Sequence, residues 1–188
     1  NFLDNFNENI IRTTDRSAFV LNKKKIKDLN NYLKGDWWVQ DFTSMLPIYL
    51  SPEFKLKKII DLCAAPGGKV FQAISLNGKV TLNDLSVKRI LKLKENLNRL
   101  NFNCNIINSN ALHISEKKKF EVVILDSPCS GVGTIRRNPE ILYKKNSPNL
   151  NYLIMNQLSL VNKASKLLKK KGILIYMVCS FLYDETKY

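Results

Sequence analysis

The sequence predicts an α/β fold, a mostly parallel twisted sheet with helices on both faces. Two observations carry that prediction. From Trp37 onward, short apolar runs alternate with amphipathic segments, the pattern of strand-helix repetition in which the strands of a sheet run the same way. Each run also ends on polar residues. In a parallel sheet those ends collect at one carboxyl edge, where such folds bind ligands.

The elements follow in order. Residues 58–63 (KIIDLC) read as a buried first strand, and Gly67-Gly68-Lys69 opens a helix running to about residue 76. Residues 80–83 (VTLN) form a second strand that ends at Asp84. Ser86 then stands where it can cap a helix on which Val87, Ile90, Leu93, Leu97 and Leu100 recur at helical spacing. Residues 104–107 (CNII) make a third strand ending near Asn110, and residues 122–125 (VVIL) a fourth that delivers Asp126-Ser127-Pro128-Cys129. A long helix is predicted over about residues 150–168, with Leu150, Leu153, Ile154, Leu158, Val161 and Ala164 on one stripe. Residues 172–178 supply a fifth strand and leave Cys179 at its end.

With 188 residues, 45% of them hydrophobic, the chain suits one domain with a sizeable core. Residues 1–36 are polar, carry Lys23-Lys24-Lys25, and read as a connector or the remnant of an N-terminal RNA-binding region. Residues 37–188 read as the main domain. The first residue is Asn1 and the last, Tyr188, closely follows a central strand, so a fragment lacking its C-terminal strands is expected. The net charge of +14 would draw a polyanion such as nucleic acid. A codon bias explains it equally well, because 24 residues are Lys and 22 are Asn. Lys117-Lys118-Lys119 and Lys169-Lys170-Lys171 read as solvated surface. No apolar stretch approaches the roughly 20 residues that cross a bilayer, and no leader opens the chain. A soluble, cytoplasmic monomer is expected. Cys63, Cys104, Cys129 and Cys179 lack C-x-x-C spacing and His113 is the single histidine, which argues against a metal site.

Asp61 to Lys69 (DLCAAPGGK) places small residues and two glycines where backbone meets a ligand at a helix N-terminus, implying a nucleotide-like cofactor. Neither G-x-G-x-x-G nor G-x-x-x-x-G-K-[ST] occurs, so an adenosine without phosphates fits better than nicotinamide or ATP. Asp84 stands where an acidic residue can accept bonds from ribose hydroxyls. The alternative for it is a surface Asp that caps a helix.

The motifs D-L-C-A-A-P-G-G-K (61–69), D-S-P-C-S-G (126–131) and Cys179-Ser180 resemble those of the RNA 5-methylcytosine methyltransferases of the NOL1/NOP2/Sun class. Trp37-Trp38-Val39-Gln40-Asp41, Arg136-Arg137-Asn138-Pro139-Glu140-Ile141 and the helix with Gln157 are similar to its bacterial small-subunit ribosomal RNA branch. The resemblance implies a Rossmann-like class I methyltransferase fold, S-adenosyl-L-methionine as cofactor and RNA, most naturally ribosomal RNA, as partner. It implies that Cys179 attacks C6 of cytosine, that Cys129 helps release the product and that Asp126 holds the base edge. Cytosine C5 is too poor a nucleophile to take a methyl group unaided, and thiolate addition at C6 makes it enamine-like. The cofactor would lie against Cys63, Ala64, Ala65, Pro66, Gly67, Gly68, Lys69, Asp84, Asn110 and Asp126. Cys104 reads as core and His113 as surface or loop. Lys69 contacts cofactor or base, or is a surface lysine; Arg136 and Arg137 grip phosphate, or form a solvated turn. Val178 and Asn110 stand where the family has Thr and Asp. The alternative function is a non-catalytic RNA-binding or ribosome-assembly factor on the same scaffold.

Overall fold

The computed structural model describes residues 2–6, 8–21, 24–51, 54–117, 119–143 and 149–187. Lys23 and Lys118, from two of the three lysine clusters, and Tyr188 lie outside the described residues. The strands are β1 (Ile10–Thr14), β2 (Ser17–Val20), β3 (Lys58–Asp61), β4 (Lys79–Asp84), β5 (Asn105–Asn108), β6 (Phe120–Asp126) and β7 (Leu168–Met177). The helices are α1 (Phe42–Tyr49), α2 (Gly68–Ser75), α3 (Val87–Arg99), α4 (Leu150–Leu167) and α5 (Tyr183–Thr186).

β3 to β7 form one five-stranded sheet in the order β5-β4-β3-β6-β7, with every pairing parallel. Strand alternation builds a core on each face. Ile59, Leu82, Val122 and Ile124 pack with Ile48 of α1, Val70 and Phe71 of α2, and Leu93 and Leu97 of α3. Ile60, Val123 and Leu125 point the other way and pack with Leu160, Ala164 and Leu167 of α4. Burying each Val, Leu, Ile or Phe side chain among these contributes about 1.5–3 kcal/mol. The Rossmann-like α/β architecture predicted from the sequence is the one observed.

Three elements differ from prediction. On α3 the buried residues are Ile90, Leu93 and Leu97, while Val87, the first residue of the helix, is exposed. On α4 the buried stripe runs through Leu153, Gln157, Leu160, Ala164 and Leu167, rotated away from Leu158 and centred on a glutamine that polarity concealed. β7 starts at Leu168 rather than 172. Its register pairs Phe120 with Leu168 and then Val122 with Ile173, so an irregularity carries Lys169-Lys170-Lys171 out of step with β6, Lys171 taking φ 63°. The lysines hide the strand start from any hydrophobic pattern.

Residues 1–36, which showed no element in sequence, contain the antiparallel β1-β2 hairpin, closed at Asp15-Arg16 and tied by Thr13 and Thr14 hydroxyls to Ser17 at 2.7 and 2.6 Å. This region docks on α3. The Arg99 guanidinium lies 4.0 Å from the Tyr32 ring centroid and donates to the carbonyls of Tyr32 at 2.7 Å and Trp37 at 3.0 Å. Gly35, at φ 83°, sits so close that a Cβ there would fall 1.8 Å from the Arg99 carbonyl oxygen.

Candidate active site

The sheet order strings the predicted residues along the carboxyl edge: Asn110 after β5, Asp84 at β4, residues 61–69 after β3, Asp126 at β6 and Cys179 after β7. At about 4.8 Å between strands the row spans about 19 Å. The end of β3 divides it into two halves.

The first half is the turn from β3 into α2. Asp61 is buried at 1% exposure and accepts from the Cys63 N–H at 3.0 Å. Burial pushes its carboxyl up to about 7, opposed by that hydrogen bond and helped by the negative charge of Asp126. Burial likewise pushes the Cys63 thiol up to about 12, so it is an inert thiol and its place in the turn is set by its backbone. Gly67, at φ 123°, leads into α2 with no side-chain cap, and a Cβ on it would strike the Phe71 ring. The N–H groups of the first turn of α2 are thus left for an anion.

Asp84 is neither exposed nor a helix cap. Its carboxylate accepts from the Ala65 N–H at 3.1 Å, the Ser86 N–H at 2.9 Å and Arg89 Nη2 at 2.9 Å, while Ser86 Oγ caps α3. With three of about four acceptor positions taken and its side chain fully buried, Asp84 braces the 63–66 turn from beneath. Asn110 caps the short helix Ala111–His113, its Oδ1 accepting from the Leu112 N–H at 3.0 Å. The carbonyl expected to meet a ligand is therefore already engaged once. His113 is exposed and Cys104 packs half-buried against the core.

A turn that offers free N–H groups, a buried carboxylate and a second polar acceptor, with no phosphate loop, suits S-adenosylmethionine. The α2 N-terminus would take its carboxylate, on a turn that Asp84 holds in place. The cofactor supplies a methyl group on a sulfonium, ready for transfer.

The second half is a cavity of about 620 Å³ lined by Asp41, Lys69, Asp126, Arg136, Arg137 and Cys179, among others. Lys69 is no surface lysine: its Nζ lies 2.6 Å from Asp126 Oδ2, with the Lys69 side chain 15% exposed. Cys179 lines the cavity, and its backbone is gripped on two sides. Its N–H donates to Cys129 Sγ at 3.2 Å, and its carbonyl accepts from the Gly133 N–H at 3.0 Å. A Cβ on Gly133 would meet that carbonyl oxygen at 3.0 Å. The parallel pairing of β6 with β7 thus brings together the two cysteines predicted from separate motifs. Burial raises both thiols above their ordinary value; for Cys179 the Asp126 carboxylate adds to this, while Lys69 and Arg137 pull the other way.

Two further parts of the site were given no role by the sequence. Asp41 caps α1, accepting from the Thr43 N–H at 3.1 Å, and also faces Arg137 Nε at 3.7 Å and Arg136 Nη2 at 3.9 Å across the cavity mouth. Glu185 is fully buried and accepts from the Ser130 N–H at 2.9 Å, the Ser130 hydroxyl and Gln157 Nε2 at 2.9 Å. An acidic residue in the polar tail DETK gives no signal of burial. Among the described residues no group of three or more His, Cys, Asp or Glu is placed to hold a metal, and no helix is long and apolar enough to cross a membrane.

The chain resembles, over 87% of its length with a TM-score of 0.77 and 27% identity, the crystal structure of NSun6 from Pyrococcus horikoshii with SFG. Its fold is that of the class I S-adenosylmethionine-dependent methyltransferases. Residues 47–188 match the family described as 16S rRNA methyltransferase RsmB/F, and the chain belongs to that family. It is 35% identical over 163 residues to ribosomal RNA small subunit methyltransferase B of Photorhabdus laumondii, covering 84% of this chain and 38% of that protein. It is 30% identical over 173 residues to the mouse 28S rRNA (cytosine-C(5))-methyltransferase, covering 84% and 21%. The chain thus spans well under half of each relative, and 43% of the archaeal structure.

Proposed function

We propose that this chain is the catalytic part of an S-adenosylmethionine-dependent RNA (cytosine-C5)-methyltransferase, acting on small-subunit ribosomal RNA through a covalent Cys179 adduct. One observation carries the reading: a cavity-lining cysteine whose backbone N–H is bonded to a second cysteine at 3.2 Å, beside a Lys69–Asp126 pair. Nitrogen or oxygen methylation needs no such nucleophile. The names of the bacterial and mouse relatives support ribosomal RNA and the C5 position. Residues 37–188 form the catalytic domain, and residues 1–36 a connector or the remnant of an N-terminal RNA-binding region. The protein works as a cytoplasmic monomer.

Cys179, as thiolate, adds to C6 of the base, and the C5–C6 electron pair becomes available at C5 to take the methyl group. Asp126, held by Lys69, stabilises the protonated N3 edge while the ring is electron-rich. Cys129, as thiolate, then takes the C5 proton. The C5–H pair re-forms the double bond, and the C6–S bond breaks with its pair returning to Cys179. Arg136 and Arg137 hold phosphate flanking the base.

The test is methyl transfer from labelled cofactor to RNA. Cys179→Ala is expected to abolish it, and Cys129→Ala to accumulate an SDS-stable protein–RNA adduct. Unchanged transfer by Cys179→Ala overturns the mechanism, and RNA binding without methyl incorporation by the unaltered protein favours the non-catalytic assembly factor.

A further inference from the structure

We propose that Glu185 is a positioning residue for product release, setting Cys129 against Cys179 through a buried carboxylate that holds the Cys129 loop on both sides. The inference rests on the two-cysteine reading above. Cys129 lies between Pro128, whose carbonyl accepts from Gln157 Nε2 at 3.1 Å, and Ser130, whose N–H and hydroxyl both donate to Glu185. Gln157 Nε2 also donates to Glu185 at 2.9 Å, so the carboxylate and the amide clamp the loop together. The Ser130 hydroxyl lies 3.2 Å from that of Ser180, the neighbour of Cys179. Burial acts to raise the Glu185 carboxyl, but the hydrogen bonds from Ser130, Ser180 and Gln157 outweigh it and hold the carboxyl below its ordinary value. Glu185 is therefore ionised at neutral pH, and charge-assisted bonds of this kind are the strong ones.

The two cysteines depend on this carboxylate unequally. Cys179 stands two residues beyond the end of β7, with its carbonyl bonded to Gly133, and Met177, the last residue of β7, pairs with Asp126. Cys129 stands in a loop that has left the sheet, and Glu185 with Gln157 supplies the side-chain bonds to the residues flanking it. Without Glu185, Cys129 shifts, while Cys179 loses its bond to Cys129 Sγ but keeps the Gly133 bond and the β6–β7 pairing behind it, so attack falls far less than proton removal from C5. Glu185 touches neither the base cavity nor the β3–α2 turn. Cofactor affinity is unaffected.

The experiment separates attack from release in the purified protein. Attack is read as the rate of adduct formation on RNA carrying 5-fluorocytidine, where no C5 proton can leave. Release is read as turnover on ordinary RNA together with the fraction of SDS-stable adduct. Glu185→Ala is expected to attack at close to the normal rate but to turn over about a hundredfold more slowly, the scale of a roughly 1 Å misplacement, with adduct accumulating. Glu185→Gln is expected to restore most of the turnover, its amide oxygen accepting from Ser130 and Gln157 and its NH₂ donating to the serine hydroxyls. Ser130→Ala, a mild change that keeps the fold, gives a smaller effect in the same direction. Normal turnover by Glu185→Ala, or attack and turnover falling in parallel in both alanine variants, overturns the proposal. Adduct formation by Cys179→Ala would instead overturn the underlying mechanism.

Discussion

Asp61 makes the fold pH-sensitive in a calculable way. Its carboxyl is buried, and burial lifts it from 3.8 to about 7. The folded state therefore binds this proton more tightly than the unfolded state does, so the stability is full below about pH 4 and is lost as pH rises toward 7. At 1.36 kcal/mol per pH unit, the loss is about 4 kcal/mol. Asp61→Asn keeps an oxygen to accept from the Cys63 N–H and cannot ionise. Relative to the unaltered protein, the variant should gain about 4 kcal/mol between pH 4 and pH 8, with the two nearly equal at the lower end. With a urea m-value of about 2 kcal/mol/M, that is a difference of about 2 M in the unfolding midpoint. The assay is urea unfolding followed by circular dichroism at several pH values. Parallel pH profiles for the two proteins would refute the reasoning, since every other titrating group is common to both.

Two more predictions concern the neighbouring strand end. Asp126→Asn removes a negative charge that raises the Cys179 thiol and leaves Lys69 facing it. The thiol pKa should fall, so alkylation of Cys179 by iodoacetamide at pH 8, read by mass spectrometry, should speed up about tenfold for a unit fall; a slower reaction contradicts it. Ser127 Oγ is buried with no hydrogen-bond partner among the described residues. Ser127→Ala should therefore raise stability by about 1 kcal/mol, measured as a higher melting temperature with methyl transfer retained.

The sequence by itself determined the alternation of strands and helices, because burial on both faces of a parallel sheet demands unbroken apolar runs such as VVIL. It also marked the 61–69 turn, Cys129 and Cys179 as candidate site residues, since glycines, a Pro and strand-terminal Cys residues form motifs that are legible locally. Where a pattern is broken by polar residues it was silent. The start of β7 hides behind three lysines, and the β1-β2 hairpin carries hydroxyl bonds among Thr13, Thr14 and Ser17 and no buried apolar residue. Only the tertiary structure decided that Asp84 is sealed beneath the turn it braces, that Lys69 answers Asp126, and that Gln157 and Glu185 are buried partners. Those facts depend on which strands lie side by side, and on groups 57 residues apart for Lys69 and Asp126 or 28 apart for Gln157 and Glu185, distances over which no local pattern reaches.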